Sequence, residues 1–128
     1  EGLIDFDNAP TFEIGRTMED IQRVSMYQDN WLPPRGSYKI KTGPMGIVSG
    51  NLRCPFHNDL NGSEWVKVSL DCDPEKIVKI RVTEEHFCFE LQGTPDTVVT
   101  VSVCSNFSRR SEADPREISV VLEDTDGN

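Results

Sequence analysis

Four cysteines carry the most informative chemistry in this sequence. Cys54, Cys72, Cys88 and Cys104 recur at near-even intervals in stretches that alternate between apolar and polar residues. In an antiparallel hairpin, one pair of opposite residues fixes all the others, and setting Cys54 opposite Cys72 or Cys88 opposite Cys104 brings apolar residues together. The spacing therefore predicts two hairpin disulfides, Cys54–Cys72 and Cys88–Cys104, which are typical of an oxidising compartment.

Zinc binding is the alternative use of the same thiols. His57 follows Cys54 by three positions and His86 precedes Cys88 by two, so Cys/His couples fall on neighbouring stretches. Structural zinc sites need four ligands that converge tetrahedrally, and the ligands come in closely spaced pairs. Because these couples lack that spacing, the sequence favours disulfides over zinc.

A partial calcium loop can be traced through Asp59, Asn61, Gly62 and Glu64. A complete loop closes with a glutamate at a fixed position, where this chain has Val68. Solvation of a polar turn is the preferred interpretation, and neither a metal nor a cofactor is predicted.

Two histidines are the candidate catalytic residues. His57 precedes Asn58 and Asp59, and His86 follows two glutamates. A nucleophile would have to lie within hydrogen-bond reach of one of them, but no serine or cysteine stands in a glycine-bracketed elbow. A secreted hydrolase that uses a histidine and a nearby carboxylate is therefore a minor hypothesis, and no catalytic residue is assigned.

The charge balance limits the classes of partner. The 128 residues include 22 acidic and 13 basic side chains, for a formal net charge of −9. Such a chain repels nucleic acid and anionic membrane surfaces, and it has no apolar run long enough for a transmembrane helix. Neither nucleic acid binding nor membrane insertion is expected.

Two N-glycosylation sequons, Asn61-Gly62-Ser63 and Asn106-Phe107-Ser108, lie in turn-like segments where a glycan would project into solvent. Together with the even number of cysteines, they predict a secreted or extracellular protein that is glycosylated at Asn61 and Asn106. The alternative is a cytosolic protein with four buried thiols.

Aromatic residues and one doubled positive charge are the candidate ligand-binding groups. Trp65 falls in the outward phase of its strand, and an exposed indole commonly anchors a sugar ring or a protein partner. Tyr38 and Trp31 are further aromatic candidates. The alternative is structural: Trp65 would cap the sheet edge or lie under the loop 27–36, and Trp31 would close one end of the core. Arg109 and Arg110, which follow the second sequon, are interpreted first as part of a solvated loop, and the alternatives are a protease cleavage site and a contact for an acidic partner.

An all-β scaffold is expected to position these residues. From Ser37 onward the hydrophobic period is two, which predicts an antiparallel β-sandwich or a partly closed barrel of about eight strands. The strands are expected to form a meander of sequential hairpins, one of which sets Val68 opposite Ile80. Residues 1–128 are expected to form a single domain.

A short helix is predicted near the start of the chain. Thr17 is a suitable N-cap with acidic residues after it, and Ile21 and Val24 continue an apolar stripe. The acidic segments 1–10 and 123–128 are predicted to be flexible tails.

The preferred function is binding rather than catalysis. An acidic surface, loops on a rigid scaffold and the lack of a reaction motif favour a secreted, disulfide-stabilised β-sandwich that binds another protein. The partner is expected to be an extracellular or host protein, and the chain an ectodomain module or a small secreted effector. A lectin-like, glycan-binding module is the alternative, and the hydrolase is the second alternative.

Overall fold

A computed structural model describes residues 21–110 and 116–128, in which nine strands form two antiparallel sheets. The strands are β1 Gln22–Ser25, β2 Trp31–Leu32, β3 Arg35–Lys41, β4 Ile47–Arg53, β5 Trp65–Leu70, β6 Ile77–Arg81, β7 His86–Gln92, β8 Val98–Ser105 and β9 Val120–Gly127. One 3-10 turn, His57–Asp59, follows β4.

The strand order is that of a jelly roll with one extra edge strand. The five-stranded sheet has the order β1-β3-β8-β5-β6, and the four-stranded sheet has the order β2-β9-β4-β7. Strand β3 pairs with β8, β4 with β7 and β5 with β6. The chain is thus one long hairpin that is wrapped so that successive strands alternate between the two sheets.

Alternate residues of both sheets point into a shared interior. Val66, Val68 and Leu70 of β5 are fully buried, and they meet Leu52 and Leu122 of the opposite sheet in a single cluster. The period of two in the sequence reflects this arrangement, since one face of each sheet is covered. The prediction of an all-β antiparallel sandwich is confirmed.

The predicted meander is wrong, because most successive strands belong to different sheets. Only the β5–β6 hairpin forms, and its register differs from the prediction by two residues, with Val68 opposite Val78. A shift of two residues keeps every side chain on its own face, so the apolar pattern fits either register. The loops between β4 and β5, β6 and β7, and β7 and β8 all cross between the sheets.

The prediction of hairpin disulfides is wrong for the same reason. Cys54 follows β4 and Cys72 follows β5, while Cys88 lies on β7 and Cys104 on β8, so each predicted pair is divided between the two sheets. All four thiols are free. Cys54 is completely buried, and desolvation raises its pKa to about 11.

Thiol labelling with iodoacetamide at pH 8 is expected to distinguish the four cysteines. Cys72 and Cys88 are exposed and should react first, Cys104 is half-buried and should react more slowly, and Cys54 should react only after unfolding. The thiolate is the nucleophile, and Cys54 stays protonated at pH values below its raised pKa of about 11. Peptide mass spectrometry measures the order. Fewer than four labelled thiols in denaturant without reductant would contradict the free-thiol assignment.

The predicted helix and one predicted tail also require correction. Thr17 and segment 1–10 lie outside the described residues, but Gln22–Ser25 is a strand, with Ile21 buried and Val24 exposed. Segment 123–128, predicted to be a flexible tail, is almost entirely part of β9, which lies between β2 and β4. Within the described ranges, no helix has the length and apolar character needed to cross a membrane.

Candidate functional site

The two sheets differ sharply in charge. The five strands of the five-stranded sheet contain no aspartate or glutamate, although the chain has 22 such residues. Seven cationic side chains lie on these strands; Arg23 is opposite the inward-facing Tyr38, and the other six alternate with buried or partly buried residues and so point outward from this sheet. This surface, called the basic face below, comprises Arg35, Lys39, Lys41, Lys67, Lys79 and Arg81.

Three of these cations lie in one row across the strands. Arg35 on β3 is opposite Cys104 on β8, which is opposite Lys67 on β5, which is in turn opposite Lys79 on β6. Directly opposite residues of an antiparallel pair share a face and lie about 4.5–5.5 Å apart at Cβ. The row is therefore positively charged at every position except that of Cys104, whose thiol is half-buried.

The neighbouring row consists of small hydroxyl side chains. Ser37 on β3 is opposite Ser102 on β8, which is opposite Ser69 on β5. All three are half-buried. This uncharged row lies beside the row that contains Arg35, Lys67 and Lys79.

Trp65 lies at one corner of the basic face, where it organises two lysines. The Lys67 Nζ lies 4.8 Å and the Lys79 Nζ 5.1 Å from the centroid of the indole ring, within the range of cation–π attraction. Arg81 is directly opposite Trp65 on β6. These four residues are called the Trp65 corner. No salt bridge involves its three cations in the part of the chain that the structure describes.

The outer surface of the four-stranded sheet has the opposite character. Its strands contain four acidic residues, and its single arginine, Arg53, lies 3.1 Å from Glu85 and 3.9 Å from Glu123. His86 Nε2 lies 3.7 Å from the Glu123 carboxylate. Positive charge on this side is therefore matched by nearby carboxylates, whereas the basic face has no acidic residue on its strands.

Trp65 is the only aromatic candidate from the sequence that the fold places on the basic face. Assigning Tyr38 to ligand binding is wrong, because its strand phase turns it inward and its side chain is fully buried. Its hydroxyl pairs with Thr125 Oγ1 at 2.9 Å, and burial raises its pKa. Trp31 lies on β2, at an edge of the other sheet, opposite Val121.

The two arginines predicted to contact an acidic partner already have acidic neighbours within the chain. Arg109 forms a 2.8 Å salt bridge with Asp59 and lies over the ring of Phe56. Arg110 lies 3.6 Å from Glu117. Both are on the surface, but their charges are partly neutralised, unlike those of the basic face.

The two sequons lie beside each other and beside Trp65. Asn106 Oδ1 accepts a 2.9 Å hydrogen bond from the Trp65 amide, and its Nδ2 donates to the Ser63 carbonyl at 3.3 Å. Asn61 Oδ1 accepts bonds from the Ser63 amide and hydroxyl. Both asparagines are exposed, and a glycan would therefore be accommodated at either position. Glycosylation of Asn61 and Asn106 stays a prediction.

The loop that resembles part of a calcium site uses its oxygens internally. Glu64 Oε1 accepts hydrogen bonds from the Asn61 and Gly62 amides, each at 3.1 Å. Residues 21–110 and 116–128 contain no group of three or more His, Cys, Asp and Glu side chains arranged to hold a metal ion. The Nδ1 atom of His57 is buried without a hydrogen-bond partner, and in the same ranges no hydrogen bond joins either histidine to a serine, threonine or cysteine.

Sequence reasoning missed the basic face, because its members are far apart in the chain. Arg35 and Lys79 belong to one row, but they are separated in sequence by β4, a strand of the other sheet, and by β5. A usable signal was present: strand segments such as RGSYKIK and IVKIR contain cations and no acids. That signal has a meaning only once the strand order places those segments in one sheet.

Comparisons with known proteins add little. No protein-family model matches the chain, and no curated protein matches it. Among solved structures, the chain is similar to a two-domain esterase active on acetylated mannans, co-crystallised with mannopentaose, at 12% identity and a TM-score of 0.46. The match covers 84% of this chain but only 33% of the esterase, so the chain spans about a third of that protein. A likeness this distant carries no argument about function.

Proposed function

We propose that this chain is a non-catalytic binding module that holds an acidic partner protein on the basic face of its five-stranded sheet. The observation that carries the proposal is the charge of these five strands, which have six outward cations and no acidic residue. A carboxylate beside them, that of Asp71 directly after β5, accepts a hydrogen bond from the Thr100 amide of β8. A chain with 22 acidic residues could place some of them beside these cations. The partner, an extracellular or host protein, would supply the missing negative charge.

Electrostatics explains how an acidic protein can attract an acidic partner. Association is governed by the potential near the contact surface, and complementary patches accelerate encounter while like charges elsewhere exclude wrong orientations. The Debye length is about 8 Å at physiological ionic strength, so carboxylates on the far side of the sandwich are screened from the basic face. The net charge of −9 would repel an acidic partner from the rest of the surface. The partner would therefore approach with its acidic side toward the basic face.

Secretion remains part of the proposal, but one of the two observations that supported it no longer does. Because the thiols are free, the cysteine pattern no longer favours an oxidising compartment. The two sequons, with exposed Asn61 and Asn106, are the remaining support for an extracellular location.

A glycan is the second candidate partner. Half-exposed Trp65 and the serine row would offer a sugar both an aromatic surface and hydroxyl groups. The Lys67 and Lys79 ammonium groups already lie over the indole, so a neutral sugar would have to displace them in order to stack. For the third hypothesis, a secreted hydrolase, the described residues offer no supporting arrangement.

Retention on immobilised polyglutamate tests the proposal. The unmodified protein should be retained at low salt despite its negative net charge, and it should elute as salt rises. The double variant Lys67→Glu/Lys79→Glu should bind roughly tenfold more weakly or more, because two attractive charges become repulsive. Elution conductivity and a titration by surface plasmon resonance measure the difference.

The matched control is Arg109→Glu/Arg110→Glu, which changes the net charge by the same amount at positions outside the basic face. This variant should keep most of the affinity. Equal losses in both variants would show that overall charge governs binding, and no retention of the unmodified protein would remove the proposal. Circular dichroism confirms that both variants are folded.

A further inference from the structure

We infer that the Trp65 corner is a site for a tetrahedral oxyanion ester, a sulfate or phosphate group carried by a side chain of the partner polypeptide. The inference rests on the proposed function and deepens it, because it names the group that the basic face recognises most strongly. The site comprises Trp65, Lys67, Lys79 and Arg81.

The first argument is a repulsion between two cations that, within residues 21–110 and 116–128, have no carboxylate in a salt bridge with either of them. Lys67 and Lys79 are directly opposite each other on β5 and β6, and like charges in this relation destabilise a sheet. No salt bridge within the described residues relieves the repulsion. An anion bound between the two ammonium groups would convert this unfavourable pair into two favourable interactions.

The second argument is that the two ammonium groups are held in advance. Both lie over the same indole, at 4.8 Å and 5.1 Å from its centroid, within the range of cation–π attraction. Trp65 is itself fixed, since its amide donates to Asn106 Oδ1 at 2.9 Å and its carbonyl accepts from the Asn106 amide at 3.4 Å. Ordering lysine side chains before binding reduces the entropy that the ligand must overcome.

The third argument concerns the number of donors. Arg81 is opposite Trp65. It follows Lys79 by two residues on β6, so the two side chains point to the same outward side. The corner therefore presents two ammonium groups and one guanidinium group. A sulfate or phosphate ester has three terminal oxygens, one for each cation, whereas a carboxylate has two. The number of cationic donors thus favours the ester over an aspartate or glutamate side chain.

Four synthetic peptides that differ at one central position provide the test. The central residue is tyrosine, glutamate, sulfotyrosine or phosphotyrosine in the same acidic sequence, and binding to the full chain is measured by isothermal titration calorimetry. At least one ester peptide should bind about tenfold more tightly than the glutamate peptide. The preference should disappear in Lys67→Gln/Lys79→Gln and persist in Arg109→Gln/Arg110→Gln.

Each outcome has a definite meaning. A preference for sulfotyrosine assigns a sulfated partner, and a preference for phosphotyrosine assigns a phosphorylated one. Equal binding of the glutamate and ester peptides, lost in Lys67→Gln/Lys79→Gln, overturns the ester site but leaves the proposed function intact. If a sulfated heparin disaccharide binds more tightly than every peptide, the polypeptide assignment is wrong. If neither the peptides nor polyglutamate bind, the proposed function fails as well.

Discussion

Replacing Tyr38 with alanine is expected to lower the free energy of unfolding by about 3–5 kcal/mol, the range observed for removing a large buried aromatic side chain. Tyr38 is fully buried on β3 and is among the largest side chains in the core. Its removal would leave a cavity between the sheets, because the surrounding strands are hydrogen-bonded and can collapse only partly. Urea denaturation followed by intrinsic fluorescence measures the change.

The Tyr38 hydroxyl also connects the two sheets. It pairs with Thr125 Oγ1 on β9 at 2.9 Å, and that oxygen donates in turn to the Ser49 carbonyl on β4 at 2.8 Å. Tyr38→Phe keeps the ring but removes this link, and it should cost about 1 kcal/mol. A change of less than 1 kcal/mol for Tyr38→Ala would contradict the buried position and return Tyr38 to the list of surface candidates.

Truncating the chain after Leu122 is expected to abolish cooperative folding. The truncation removes most of β9, which pairs with β2 on one side and β4 on the other. It also deletes buried Thr125 and leaves the β4 backbone groups without partners. Since domains of this size are stable by only about 5–15 kcal/mol, the loss should exceed what the remaining strands supply. Loss of the near-ultraviolet circular dichroism signal would show it.

A charge-only variant is the control for that truncation. Glu123→Gln, Asp124→Asn and Asp126→Asn together remove the acidity of the segment but keep the strand, so this protein should remain folded. Gly127→Ala tests the packing more finely, since an added Cβ would overlap the Lys41 carbonyl oxygen. It should destabilise by about 1–3 kcal/mol. A truncated protein that unfolds cooperatively at the normal temperature would restore the flexible-tail interpretation.

The sequence was sufficient to predict which way most side chains point. Tyr38, Ile40 and Thr42 share one phase in the sequence, and all three are buried, although Tyr38 had been assigned to ligand binding. Trp65 was placed on the outward phase of β5, where the structure has it beside Lys67. Apolar and polar residues alternate along each strand because only one face of its sheet is covered, so the alternation shows which side chains face the core.

The same periodicity could not predict strand order. Cys88 was paired with Cys104 because β7 and β8 are adjacent in sequence and their patterns match, yet β7 pairs with β4 and β8 with β3 and β5. Any two amphipathic strands satisfy the pattern equally well. The hairpin pairings, the disulfides and the position of β9 all depended on this choice, and the basic face could not be recognised without it.

The nested pairing of the strands has a consequence for how the chain reaches its native state. Strand β2 must wait for β9, and β4 must wait for both β7 and β9, before their edges are covered. Closing such large loops is entropically costly, so folding is dominated by non-local contacts and belongs to the millisecond-to-second range of all-β domains. During that interval β4 presents an edge of unpaired backbone N–H and C=O groups, which makes the half-folded chain the species most exposed to aggregation.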